Sequence, residues 1–170
     1  IYGEMVFSDI SKHLTADQTG SKHRVILELL TYLDEHYVQK PKMNFRKYVL
    51  TRMQEMLDKK QFLKECSIYQ RGSIDRRVHN KLKHATDQYK PYKTTAMAYC
   101  LALGLSIREA EQLLYLAGYH FEEGSLTDQI VKYCLEKGIY SADVVNNEIS
   151  YFSEIYGLKK TELVGSVARE

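Results

Sequence analysis

The sequence predicts an all-α fold, and three observations carry that expectation. Apolar residues recur at three- and four-residue steps in one segment after another, the spacing that lines one face of a helix. Only two prolines, Pro41 and Pro91, interrupt 170 residues, so long stretches are free to be helical. Helix-capping residues and glycines stand at the borders of the periodic segments, and no segment is assigned as a strand.

Residues 1–20 show no strong period and read as a loop, a tail or the edge of a larger protein. The chain begins at Ile1 rather than Met, which reads as an excised or processed piece. From Ser21 to Val38 a helix is expected, with Ile26, Leu29, Leu30, Leu33 and Tyr37 on one face, Ser21 as N-cap and Pro41 ending the element. That apolar face needs a partner, either the following domain or a second copy. Met43 to Lys60 forms the next helix, with Phe45, Val49, Met53, Met56 and Leu57 inward.

A short helix over Lys64–Arg71 is broken by Gly72 and Ser73, where Gly tolerates a left-handed backbone. Asp75 caps a helix from Arg76 to His84, whose inward pair is Val78 and Leu82. A loop over Ala85–Tyr92 leads to a helix over Thr94–Leu103 with Gly104 at its stop. Ser106 and Glu109 have the spacing of a capping box for Ile107–Ala117, ended by Gly118. Helices over Thr127–Lys137 and Ala142–Tyr156 end at Gly138 and Gly157, and the residues from Lys159 read as frayed. The domain reading is an N-terminal arm over residues 1–42, a core over 43–119 and a C-terminal helical extension over 120–170.

Composition bounds the function. With 44% hydrophobic and 27% charged residues, the chain reads as a soluble globular domain. No run of about 18 apolar residues and no signal-peptide pattern is present, so no membrane partner is expected and a cytoplasmic setting is. The three cysteines, Cys66, Cys100 and Cys134, lie in apolar-patterned helices without a CxxC pair and are expected to be reduced and buried. Their spacing of 34 residues twice over is not matched by repetition around them.

The charge is uneven. Asp75 to Lys93 holds six Lys or Arg against two Asp, whereas the whole chain nets +2. Arg76, Arg77, Asn80 and Lys83 project away from Val78 and Leu82 on one solvent-facing arc. In a DNA groove, Arg bridges guanine O6/N7 and Asn pairs with adenine N6/N7, while Lys83, Lys90 and Lys93 would neutralise phosphate. The plainer account of such a run is a solvated charged face. Tyr89 and Tyr92 have the character to stack on bases, although aromatics beside a proline more often anchor the loop. His79 reads as a core histidine rather than a proton carrier, and Asp34, Glu35 and His36 as a solvated face without a second ligand set. The stripe Leu101, Leu105, Leu113, Leu114 and Leu116 reads as core. With no Gly-rich phosphate loop, catalytic-triad signature or zinc motif, this segment is not expected to be an enzyme, and no cofactor or metal is expected.

The helix order, with a tight turn between a short helix and a basic one, resembles the Xre/Cro-type helix-turn-helix family. Leu63 to Lys83 aligns without gaps with that family's second helix, turn and recognition helix, and Ile68, Ile74 and Leu82 stand at its core aliphatic positions. A closer resemblance, over Ile68 to Tyr119, is to a bacterial helix-turn-helix-like domain often found C-terminal to macro domains. Tyr69, Arg71, Ile74-Asp75-Arg76, Lys81, Tyr89-Lys90-Pro91, Lys93, Thr95-Ala96, Leu103, Leu105, Glu109, Leu113-Leu114 and Ala117-Gly118-Tyr119 carry it. Tyr32 to Val38 also resembles the connector of such fusions. The resemblance implies a five-helix core that binds DNA through its third helix as a regulatory module; because one module buries limited area, a homodimer is expected. Four residues depart from the DNA-binding pattern: Tyr69 where a small Ala is usual, Ser73 where Gly is usual, Glu65 where Gln is favoured, and His79 at an apolar position.

Two functions therefore stand open. In one, Arg76, Arg77, Asn80, Lys83, Lys90 and Lys93 contact double-stranded DNA, with the Ser21–Val38 or Ala142–Tyr156 helix making a dimer. In the other, the scaffold is a protein-interaction or oligomerisation module of a larger bacterial protein of stress or defence, docking through its N-terminal helix and its acidic tail half, residues 94–170, which hold six Lys or Arg against eleven Asp or Glu.

Overall fold

The computed structural model describes residues 21–38 and 42–166, which contain eight α-helices and no strand. The expectations for residues 1–20 and for Pro41 lie outside the described residues. The chain divides into two compact units, Ile1–Lys42 and Met43–Glu170.

In the first unit, α1 spans Ser21–Leu33 and continues into a π-helical turn, Asp34–Val38. Ser21 is its first helical residue. Within this unit, Leu29, Leu33 and Tyr37 of the expected stripe are exposed, and Ile26 and Leu30 are half-buried. The His36 ring stacks on Tyr32 at 4.1 Å, and the Lys42 ammonium lies 3.6 Å from the Tyr37 ring centre.

The second unit is built around α5. Helices α2 (Phe45–Asp58), α3 (Glu65–Arg71) and α4 (Arg76–His84) precede it in the chain. Then come α5 (Lys93–Ala102), α6 (Ile107–Leu116), α7 (Leu126–Glu136) and α8 (Ala142–Ile155). Every residue of α5 from Thr95 to Ala102 is buried, the mark of a helix enclosed on all sides. Its neighbours are α3, α6, α7 and α8, so the two C-terminal helices pack on the same core as the helices before them. Small side chains at Ala96, Ala98 and Ala102 permit that crowding. A Cβ on Gly72 would come 2.5 Å from the Ala98 carbonyl oxygen, so only glycine lets α3 end against α5.

This corrects the reading of the turn. Gly72 is not left-handed (φ −84°), and the positive φ of +54° falls on Ser73. Gly72 is required for close approach, and Ser73 makes the turn.

Local signals set most other borders. Asn44 caps α2 through Lys47 N–H, and Ser106 and Glu109 form the reciprocal capping box of α6. Ser125 and Ser141 cap α7 and α8. Cys100 and Cys134 are buried as expected, and Cys66 is only half-buried. Tyr89 packs against Phe45 at 6.4 Å and anchors the loop, whereas Tyr92 is 68% exposed. No helix among the described residues is long and apolar enough to cross a membrane.

Candidate nucleic-acid interface

α4 lies at the edge of the core, against α2 and α3, and is fastened at both ends. At its start, Asp75 adopts an extended backbone and its Oδ1 accepts from Arg77 N–H at 2.7 Å. At its end, the Arg46 guanidinium donates to the Leu82 and Lys83 carbonyls at 3.0 and 2.7 Å. The Leu82 carbonyl also accepts from Ala85 N–H at 3.3 Å, and a cation at this end bonds the last carbonyls and offsets the negative end of the dipole. His79 and Leu82 are buried, Val78 is half-buried, and Arg76, Arg77, Asn80, Lys81 and His84 are exposed.

The six residues expected at the interface fall into two groups. Arg76, Arg77 and Asn80 share the exposed arc of α4, and Lys90 is exposed on the following loop. Among the described residues, Arg76, Arg77, Lys81 and Lys90 have no ion-pair partner. Two arginines in the first turn stand at the positive end of the helix dipole, an arrangement that an anion would relieve.

Lys83 and Lys93 are both engaged in ion pairs. Lys83 Nζ lies 3.0 Å from Glu65 Oε2. Lys93 Nζ sits 2.6 Å from Asp128 Oδ2 and 3.0 Å from Glu122 Oε1, with its side chain 18% exposed. Burial pulls the Lys93 ammonium down, but the hydrogen bonds to Asp128 and Glu122 outweigh it and leave its pKa raised. Asp128, 2% exposed, also accepts from Glu122 N–H at 2.7 Å, so Lys93 ties the start of α5 to α7.

The four departures noted in the sequence occupy two linked clusters. His79 is 1% exposed; its Nε2 is 2.7 Å from Glu65 Oε1 and its Nδ1 is 3.0 Å from the Tyr99 hydroxyl. Tyr69 stacks on the same imidazole at 4.6 Å. Glu65, Tyr69 and His79 therefore depart together: the large ring roofs the histidine and the carboxylate bonds it. Burial raises the Glu65 carboxyl, but the bonds from His79 and Lys83 overcome this and leave its pKa lowered. Tyr99 is held as the neutral phenol by burial. Ser73 belongs to the second cluster: its Oγ donates to Asp143 Oδ1 at 2.9 Å, and its carbonyl accepts from Ser166 N–H at 3.2 Å.

Two residues of this face were not singled out as site residues. Lys81, four residues after Arg77, and His84, three beyond it, extend the exposed arc; their helical spacing was the available signal. Arg46 carries no local signal, because its partners lie 36 and 37 residues away.

Elsewhere, an apolar groove of about 580 Å³ between α7 and α8 is lined by Ile130, Tyr133, Val144, Phe152 and Tyr156. Among the described residues, no three His, Cys, Asp or Glu side chains group as metal ligands. The chain matches no known protein family, no curated protein and no solved structure.

Proposed function

We propose that the outer face of α4 binds double-stranded DNA, and that α2–α6 act as an Xre/Cro-like helix-turn-helix core with a binding, regulatory role rather than a catalytic one. The observation that carries this reading is the pair Arg76 and Arg77: two exposed, unneutralised guanidinium groups in the first turn of a fastened helix, on one arc with Asn80 and Lys81. Guanidinium and carboxamide groups at that end are the side chains suited to purine edges, while Lys81 and Lys90 suit phosphate. A single such module has limited area, which favours action as a homodimer on paired half-sites.

The test is duplex binding by fluorescence anisotropy across a salt series. The logarithmic salt slope should fall by about one unit for each cation removed, so Arg76→Ala/Arg77→Ala should flatten it by about two. No duplex binding by the wild type at low salt, or an unchanged slope in the pair variant, rejects the reading.

A second reading, protein interaction, is favoured by the apolar surface of the last two helices. Tyr133, Ile155 and Tyr156 are 57%, 56% and 64% exposed beside the α7–α8 groove. Loss of self-association or partner capture on Tyr133→Glu, with duplex binding absent, would favour it.

A further inference from the structure

The segment Glu162–Ser166 has neither helix nor strand, yet it is held like a bound peptide. Asn146 reads the backbone of Val164 with both ends of its carboxamide: Nδ2 donates to the carbonyl and Oδ1 accepts from the N–H, each at 2.8 Å. The Val164 side chain is 2% exposed, so it fills a pocket in the core. Thr127 Oγ1 donates to the Glu162 carbonyl on one side of it. On the other side, Gly165 N–H points to the Thr94 carbonyl at 3.4 Å and Ser166 N–H to the Ser73 carbonyl at 3.2 Å. Ser166 Oγ then accepts from the N–H of Asp75, the N-cap of α4.

Each position in this segment has a stated requirement. Position 164 takes an aliphatic side chain that fits an enclosed pocket. Position 165 must be glycine: its φ is +134°, and a Cβ would come 3.0 Å from the Ser73 carbonyl oxygen. Position 166 needs a small hydroxyl to reach Asp75. Main-chain bonds for hold and side-chain pockets for selectivity are how proteins capture extended peptides. Leu163 and Glu162 are exposed, Val164 and Gly165 are buried, and no helix or strand ladder runs through the segment. Segments without a helix or strand ladder open more readily than the helices around them.

We infer that the surface formed by the Gly72–Asp75 turn, Thr94, Thr127 and Asn146 is a binding site for an extended aliphatic-Gly-Ser peptide, and that its resident ligand is the chain's own detachable Glu162–Ser166 segment. Occupancy fastens the turn from which Arg76 and Arg77 project. The inference stands whether or not that face binds DNA.

The test uses the full chain carrying Gly165→Val, which ejects the resident segment, and a fluorescein-labelled peptide of wild-type sequence spanning residues 159–166. In the wild type the tethered segment competes at high effective concentration, so the variant should bind the peptide at least about tenfold more tightly. A peptide carrying the same Gly165→Val change should not bind. Amide exchange at Asp75 should be faster in the variant and return to the wild-type rate when the peptide is added. Ser166→Ala provides a milder release that leaves Val164 in place, and should speed exchange at Asp75 alone. Equal peptide affinity for wild type and variant, or no binding by either with the helical signal intact, overturns the inference. So does cooperative unfolding of both variants, which would make the segment part of the core. A concentration-dependent dimer that blocks the peptide would put a second copy's segment in the site, and would overturn the assignment of the resident ligand.

Discussion

Glu65 and His79, fourteen residues apart and on different helices, meet at 2.7 Å between Oε1 and Nε2. The contact joins α3 to α4 across the turn, and the other imidazole nitrogen reaches Tyr99 on α5. One histidine thus bonds to two other helices. With Tyr99 held as the phenol, its hydroxyl can donate to Nδ1 while Nε2–H donates to Glu65, so both ring nitrogens have a partner.

Removing this ring should be costly. His79→Leu keeps the volume approximately but leaves the Tyr99 hydroxyl without its bond, and should destabilise the fold by roughly 2–3 kcal/mol. Urea denaturation with unchanged m-value is the measurement. A double-mutant cycle with Glu65→Gln should show coupling of about 1 kcal/mol or more, and additive losses would mean that the two residues act independently.

The pH dependence follows from opposite shifts. Glu65 and Glu109 have folded-state pKa values below their unfolded values; for Glu109 the leading cause is its bond from the Ser106 backbone. Their contribution is present above the unfolded carboxyl pKa and is lost as pH falls through the folded one. Lys93 is raised, so its contribution is present below the unfolded lysine pKa and lost as pH rises through the folded value. The fold should therefore weaken below about pH 4.5 and again above about pH 10. Glu65→Gln should flatten the acid limb, and Lys93→Met the alkaline limb, in melting temperatures measured across that range.

Lys90 and Lys93, three residues apart, should behave as different kinds of residue. Lys93→Ala leaves the Asp128 carboxylate, 3% exposed, with its bond from Glu122 N–H but without its cation, and should cost about 2–4 kcal/mol. It should leave the salt slope of any duplex binding unchanged. Lys90→Ala should alter stability by less than about 0.5 kcal/mol and lower that slope by about one unit. Thermal melts and the anisotropy series on the same two variants decide it.

Gly72 and Ser73 should also separate. Gly72→Ala drives a methyl group into the Ala98 carbonyl and should cost at least about 2 kcal/mol. Ser73→Gly relieves a positive φ but gives up the bond to Asp143, so its net change should stay within about 1 kcal/mol. Chemical denaturation of each variant is sufficient; a harmless Gly72→Ala would contradict the close helix contact.

The parts of the fold legible in the sequence are those written within a few residues. Asp75, Ser106 with Glu109, and the spacing of Phe45, Val49, Met53 and Met56 gave correct helices because a cap or a stripe needs only its own turn. The ion pairs of Lys83 and Lys93 are not legible in the sequence, because their carboxylates lie 18 and 35 residues away and no local pattern predicts such a meeting. Glu65 stands in the sequence only as a departure from the favoured Gln, because its partners His79 and Lys83 lie 14 and 18 residues away. The residues after Lys159 read as frayed, since Val164 and Gly165 carry no helical period, yet Val164 is buried through tertiary contact. Gly72 was assigned the wrong task because a close approach and a left-handed turn both call for glycine.

The bond from Asp75 N–H to Ser166 spans 91 residues. During synthesis the stretch that becomes α4 emerges long before Ser166 exists, with Asp75 already able to cap it and Arg46 already made. The final fastening of its first turn waits until nearly the whole of the second unit has been translated. A ribosome-bound chain stopped before Ser166 would therefore display Arg76 and Arg77 on a turn that has its Asp75 cap but not its last fastening.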